Sequence, residues 1–379
     1  MTLTSQDILA ALQDHPTGAG LRPSFHALWH LEELGVIDDL TSFSSPAWDA
    51  AEARLEGQGV PPVRVAVIDT PVAHTHPSLQ GAIDLGLMRD FSYSDAGRFV
   101  VRDLQAAPAT ADDVASRDAL LAELAQTPSD PGNLVLAELA DAAPAVDPSG
   151  WLSPLGAHAT ALAGLIGARP TRLSLREPTY LGATAQSSVL TDIGLPYCGI
   201  DPFCRIVPVS ISAAGRPGMI LAALNYVRLI APQIVVIADS WEGRDIPEDQ
   251  AIWTEIEDTF GHLCDSSRVF CAAGNERLGK LVYPASLSGP QAANPGGGAF
   301  AGRPWAVGAC DVSGEDLSYS PDHGAITAAG FRMIKTLSTE LSRYDRAVQE
   351  LDPWRPRHLE YGRPLGDPDF PPRDIISTD

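Results

Sequence analysis

The chain has 379 residues, 45% of them apolar, enough for one large domain or two ordinary ones around an extensive core. Its 48 acidic side chains against 26 basic ones leave a net charge of −22. Such a surface repels phosphate backbones and anionic lipid, which excludes nucleic acid and membrane surfaces as natural partners. Only Lys280 and Lys335 are lysines. Residues 331–379 carry 8 basic and 9 acidic side chains, so the first 330 residues hold −21 of the charge. The amino-terminal stretch MTLTSQDILAALQDHPTG lacks a basic region followed by an apolar run, so it does not read as a secretory signal. No stretch approaches the roughly 18 apolar residues of a membrane span. The five cysteines, Cys198, Cys204, Cys264, Cys271 and Cys310, are odd in number and form no CxxC pair. Reduced, buried thiols in a cytoplasmic protein are the expectation, and a zinc site is not.

Residues 1–60 read as a helical extension. In SFHALWHLEELGVIDDL, apolar residues recur at helical spacing through Phe25, Leu28, Trp29 and Leu31, and Gly35 closes the pattern. VRVAVID (63–69) is a short valine-rich run ending in Asp, the pattern of a buried parallel strand. Residues 105–147 are rich in Ala and Asp and predict two short acidic helices in a surface insertion. HATALAGLIGA (158–168) predicts a small-residue helix that can approach a sheet closely. CRIVPVSIS (204–212), IVVIADS (234–240), RVFCAAGN (268–275) and PWAVGACD (304–311) read as further strands, with helices over AALNYVRLI and IWTEIEDTFGHL between them. Strands alternating with helices predict an α/β, three-layer fold with a mainly parallel sheet flanked by helices. Ligands bind such sheets beyond the carboxyl ends of the strands, where Asp69, Ser240 and Asn275 fall. No internal repeat is present.

Taken singly, these residues have plain structural readings. Asp69 caps a loop, His158 opens a helix, and Asn275 is a turn residue that tolerates the left-handed region. A nucleotide-binding role for Asp69 lacks its glycine loop, because no GxGxxG follows. In order along the chain they carry more. VAVIDTPVAHTHPSL (65–79), HATALAGLI (158–166), GIDPFCRIVPVSI (199–211), DSWEG (239–243), CAAGNE (271–276), YPAS (283–286), AVGACDVSG (306–314) and SYSPDHG (318–324) follow one another as the blocks of the subtilisin-like serine peptidases do. WDAAEARLEGQGV (48–60) resembles the lead-in helix and turn before their first strand. The sequence resembles that family from about residue 48 to 324, and it is broken by insertions at 105–147 and 170–195.

The resemblance implies a role for each residue. A serine hydroxyl becomes a nucleophile only when a histidine takes its proton, and the histidine needs a carboxylate to fix its tautomer. Asp69 is then the orienting carboxylate, His158 the general base, and the Asn275 amide a donor to the oxyanion. Ser240, Trp241 and Gly243 border the substrate cleft, and a pocket lined by Trp241 would take a large apolar side chain. The chain also departs from the pattern. Pro71, Ala159 and Ala161 replace a Gly, a Gly and a His of the family, and Glu242 stands where a Gly is common.

The nucleophile is the large departure. The family's Gly-Thr-Ser-Met-Ala string is absent, and Ser338 and Ser342 lack the glycine and small-residue helix that would mark one. Residues 371–378, PPRDIIST, resemble the strand that precedes the serine block, and AAGFRMIKTLST (328–339) is a rival match. The first match makes residues 325–367 an insertion with one helix near 338–351. The peptidase domain, 61–379, is then C-terminally incomplete. The expected function is a serine endopeptidase domain, inactive as this chain alone, acting on protein or peptide once a second polypeptide or a longer chain supplies the serine. The rival is a pseudopeptidase that holds a peptide in its cleft by strand addition. No cofactor is expected. Relatives of the family bind structural calcium, but no ligand set carries over to these residues.

Overall fold

The valine-rich run ending in Asp69 forms β1 (Arg64–Asp69), the strand around which the molecule is arranged. The structure, a computed structural model, describes residues 3–13, 31, 34–38, 44–74, 76–92, 95–101, 103–126, 154–181, 184–195, 198–211, 215–274, 281–288 and 304–308. Before β1 come α1 (Ser5–Gln13) and α2 (Pro46–Gly57). After it come β2 (Arg89–Asp90), β3 (Arg98–Phe99), α3 (Ala111–Gln126) and α4 (Pro154–Gly167). A hairpin of β4 (Thr171–Leu181) and β5 (Thr184–Leu195) follows. Then β6 (Arg205–Ser210), α5 (Pro217–Ile230), β7 (Ile234–Ile237), α6 (Gln250–Ser266), β8 (Arg268–Ala272) and β9 (Trp305–Val307) alternate as the sequence predicts.

Seven strands form one sheet in the order β3-β2-β6-β1-β7-β8-β9, and every pairing except β2 with β3 is parallel. The chain leaves β1 toward β2 and β6 on one side and later returns to β7, β8 and β9 on the other. The carboxyl end of β1 is therefore a topological switch point, where open α/β sheets leave a crevice for ligands. Alternation buries β1 on both faces. Ala66 and Ile68 join Val207, Val209, Val235 and Ile237 in the core under α5 and α6, which contribute Ile220, Leu224, Val227, Ile256 and Phe260. Val65 and Val67 face the other core, with Ile206 and the fully buried Ala159 and Ala163 of α4. The two alanines lie four residues apart, on one side of the helix, and let its backbone approach the sheet. Each fully buried Ile or Phe here contributes roughly 1.5–3 kcal/mol of hydrophobic stabilisation.

The amino-terminal region is joined to this body by a third core. Ile8, Leu9 and Leu12 of α1 and Trp48 of α2 pack with Leu31, Ile37, Cys198 and Phe203. Ser45 caps α2 by accepting from the Trp48 amide, and the Trp48 indole donates to the Ile200 carbonyl at 2.9 Å. Gly35, expected to end a helix, has φ 68°. The region 105–147 holds one 16-residue helix, α3, where two short ones were expected; the second falls outside the described residues. The region 170–195, read as an insertion, is the β4–β5 hairpin, a sheet of its own. Asn275, Cys310, the insertion 325–367 and the closing strand-like stretch also lie outside the described residues.

Candidate functional site

Asp69 ends β1 on the face that α4 covers, and His158 lies one turn into α4, so the fold delivers both to the switch point. His158 Nδ1 and Asp69 Oδ1 are 2.9 Å apart. The Asp69 carboxylate is 1% exposed, whereas the His158 side chain is 48% exposed. A carboxylate oxygen can only accept, so Nδ1 carries the proton and Nε2 is the basic nitrogen. The same Oδ1 also accepts from the Thr70 amide at 2.6 Å and from the Thr70 hydroxyl at 2.9 Å. Three donors on one oxygen fix the carboxylate's orientation. The loop after it is tied to the helix, because the Ala73 amide donates to the Thr160 hydroxyl at 2.9 Å. Pro71 therefore interrupts none of these bonds. The carboxylate holds the imidazole, Thr70 holds the carboxylate, and Thr160 holds the loop that follows.

The neighbouring strand β7 supplies a second carboxylate. Ile68 and Ile237 are partners in the parallel register, so both strands end side by side and Asp239 emerges just beyond. Asp239 Oδ1 accepts from the Ser240 amide at 2.8 Å. Burial pushes the Asp239 carboxyl up to about 6; the nearby Asp69 charge adds to the rise, and His158 opposes it. Among the described residues Asp239 has no arginine or lysine partner. Sequence reasoning placed DSWEG at the cleft but gave Asp239 no role. Its signal was register, the fact that a second acidic residue closes the strand beside β1.

Ser240, expected at a cleft wall, is exposed. Trp241 is different. Its indole is 4% exposed and packs edge-on against Phe260 at 6.2 Å and Tyr283 at 6.0 Å between centroids. Its amide donates to the Tyr283 carbonyl at 2.9 Å. The side chain belongs to the core under α6 and stands behind the segment rather than on its open side. Gly243, at φ 89°, is fixed by the Trp253 indole, which donates to its carbonyl at 3.1 Å. Arg244 lies over the Tyr283 ring at 4.1 Å and pairs with Glu257. Residues 240–244 are thus a strap bolted onto α6, with Ser240 and Glu242 exposed.

β8 leads toward the third expected residue. The Ala273 amide donates to the Val307 carbonyl at 2.8 Å, and Gly274 follows at φ 107°. A Cβ at Gly274 would lie 2.5 Å from Val282 Cγ1, so the turn before Asn275 admits only glycine. Asn275 itself is outside the described residues, and the donor role expected for it stays an expectation. Among the described residues no group of three His, Cys, Asp or Glu side chains assembles that could hold a metal ion. No helix among them is long and apolar enough to cross a membrane.

Comparison with known proteins adds the following. A family model described as the subtilase family, peptidase S8, matches residues 62–344. A search of curated proteins finds no match. Among solved structures, the nisin leader peptidase NisP from Lactococcus lactis is similar at 12% identity and TM-score 0.40, over 78% of this chain and 67% of that one. The prenylagaramide maturation protease PagA matches at 17% identity and TM-score 0.36, over 74% and 65%. The epidermin leader peptide processing protease EpiP from Staphylococcus aureus matches at 13% identity and TM-score 0.42, over 81% and 57%.

Proposed function

Because the chain belongs to the subtilase family, we propose that it is the base-bearing part of a serine endopeptidase, with Asp69 and His158 as two members of its triad. The observation that carries this reading is the 2.9 Å contact between His158 Nδ1 and a buried, triply bonded Asp69 oxygen at the sheet's switch point. In the reaction, a serine hydroxyl gives its proton to His158 Nε2 while its oxygen attacks the scissile carbonyl. The imidazolium then returns that proton to the leaving amine, and water later repeats the sequence on the acyl-enzyme. Asp69 keeps Nδ1 protonated and stabilises the imidazolium. The Asn275 amide would donate to the oxyanion. The peptide strand would lie along Ser240–Gly243, beside the exposed Glu242.

The 379 residues contain no Gly-Thr-Ser-Met-Ala string. On this reading a segment that bears such a block would supply the serine, and the 379 residues without it would hold peptide without hydrolysing it. The absent string also favours the second reading, a peptide-binding pseudopeptidase. Buried free thiols at Cys198, Cys204, Cys264 and Cys271 suit a reducing compartment, and we assign the protein to the cytoplasm on that basis. The deciding experiment is fluorophosphonate labelling. The chain alone should stay unlabelled. The coding DNA beyond codon 379, read in all three frames, should supply a Gly-Thr-Ser-x-Ala block whose fusion restores labelling, and His158→Ala should abolish that labelling. Labelling of the chain alone at Ser338 or Ser342 would overturn the missing serine. Absence of any such block there or in a neighbouring gene would leave the peptide-binding reading.

A further inference from the structure

We propose that Asp239 is a positioning residue for His158, a second carboxylate whose charge favours the imidazolium and so sets how readily Nε2 takes a proton. The inference rests on the reading of His158 as the base, but its test does not require hydrolysis.

The argument starts from register. β1 and β7 run side by side with Ile68 opposite Ile237. Asp69 is the next residue on one strand, and Asp239 lies two residues on along the other. Two carboxylates thus leave the same end of the sheet from adjacent strands. Each is held by the backbone that follows it, Asp69 by Thr70 and Asp239 by the Ser240 amide. Neither is a surface charge that rotates away into solvent.

Such a placement is costly. A half-buried carboxylate beside a buried one raises the energy of both charges, and folds usually answer it with an arginine. The amino ends of β1 and of its other neighbour, β6, show that answer, where Arg64 meets Asp84 and Arg205 meets Asp113. Beside Asp239 the described residues offer a different set. Asp69 on β1 and Glu242 on its own strap oppose its ionisation, the Ser240 amide supports it, and His158 on α4 is the one group in the set that can become a cation. The compensating charge at this end of the sheet is therefore the imidazolium. It is present only when His158 is protonated, the state formed when the base takes the serine proton. Asp69 touches the imidazole directly and fixes its tautomer. Asp239 acts on the ring through its field. Ionised, it helps His158 hold a proton. Once it takes up a proton itself, that help is lost.

The test is a titration of the full chain, without substrate, by NMR of labelled histidine and aspartate side chains. The His158 resonance is assigned by its loss in His158→Gln. In Asp239→Asn, the midpoint of His158 should move to lower pH, corresponding to roughly three- to tenfold weaker proton binding for one charge removed nearby. Asp239→Glu should restore most of it. A packing role for Asp239 would leave the midpoint unmoved. In the unaltered protein, the Asp239 carboxyl carbon should titrate near 6 and not near the ordinary 3.8. Because this reading needs no variant, it stands even if Asp239→Asn fails to fold. An unmoved His158 midpoint in a folded Asp239→Asn, or an ordinary titration of Asp239, overturns the proposal. The His158 shift is measured without a serine, so failure of the peptidase reading leaves it untouched, and failure of the shift leaves the peptidase reading standing.

Discussion

Asp239→Asn should stabilise the protein at neutral pH and leave it unchanged in acid. The folded protein binds the Asp239 proton more tightly than the unfolded chain does, with a carboxyl near 6 against an ordinary 3.8. A group raised in this way contributes stability below its unfolded value and loses it as pH rises toward the folded value. The interval is about two pH units, and at about 1.4 kcal/mol per unit the full loss would be about 3 kcal/mol. The carboxyl is partly exposed and screened by solvent, which brings the expected effect down to about 1–1.5 kcal/mol. Asparagine keeps the bond from the Ser240 amide and cannot ionise, so it avoids the loss. Urea unfolding followed by circular dichroism at about pH 4 and about pH 7.5 measures this. The two proteins should coincide at the lower pH and separate by about 1–1.5 kcal/mol at the higher one, with the variant more stable. An equal difference at both values would mean the substitution acts through packing. A less stable variant at neutral pH would refute the electrostatic reasoning outright.

Two further perturbations probe the frame around the site. Burial lowers His74, on the loop after Asp69, to about 4 from its ordinary 6.5; the unfolded chain binds this proton more tightly, so stability should fall by about 2–3 kcal/mol as pH drops through that window. His74→Gln should flatten this acid loss in the same urea series, and an unchanged slope would count against burial as its cause. Gly274→Ala combines a φ of 107° with a Cβ 2.5 Å from Val282 Cγ1, which should cost about 2–4 kcal/mol. Adding Val282→Ala should recover the steric share and leave the backbone share, and additive losses in the double-mutant cycle would refute the clash.

What the sequence conveyed about this molecule follows a physical division. β1, β6, β7 and β8 were legible because parallel strands buried on both faces read as unbroken apolar runs. Asp69 and His158 were legible as a pair because one ends such a strand, the other lies near the start of a small-residue helix, and their order along the chain resembles a known family. β2 and β3 are two residues each, too short for any periodicity. The β4–β5 hairpin runs through Arg176, Glu177 and Pro178, residue types that read as loop rather than strand. Trp241 was legible as a large apolar residue near the cleft, but its direction was not. It follows the end of β7, where strand alternation no longer dictates the face, and contacts with Phe260 and Tyr283 far along the chain decide it. Asp239 was the least legible, since its meaning depends on which strand lies beside β7.

The distribution of charge across the sheet gives the site its character independently of any family. At the amino ends of β1 and β6, Asp84 and Asp113 are met by Arg64 and Arg205, an arrangement that serves the fold. On the outer strands Asp90 is met by Arg98. At the carboxyl ends of β1 and β7, Asp69 and Asp239 have no arginine or lysine partner among the described residues, and a half-exposed imidazole stands with them. Stability alone would favour an arginine there, because a carboxylate pair left to one titratable ring is less stable wherever that ring is neutral. The arrangement makes sense for a site that must gain and lose a proton at the imidazole. On the proposed reading of His158 as the base, the same two carboxylates that weaken the resting state would favour the protonated one, and the difference between those states is what a general base can put to use.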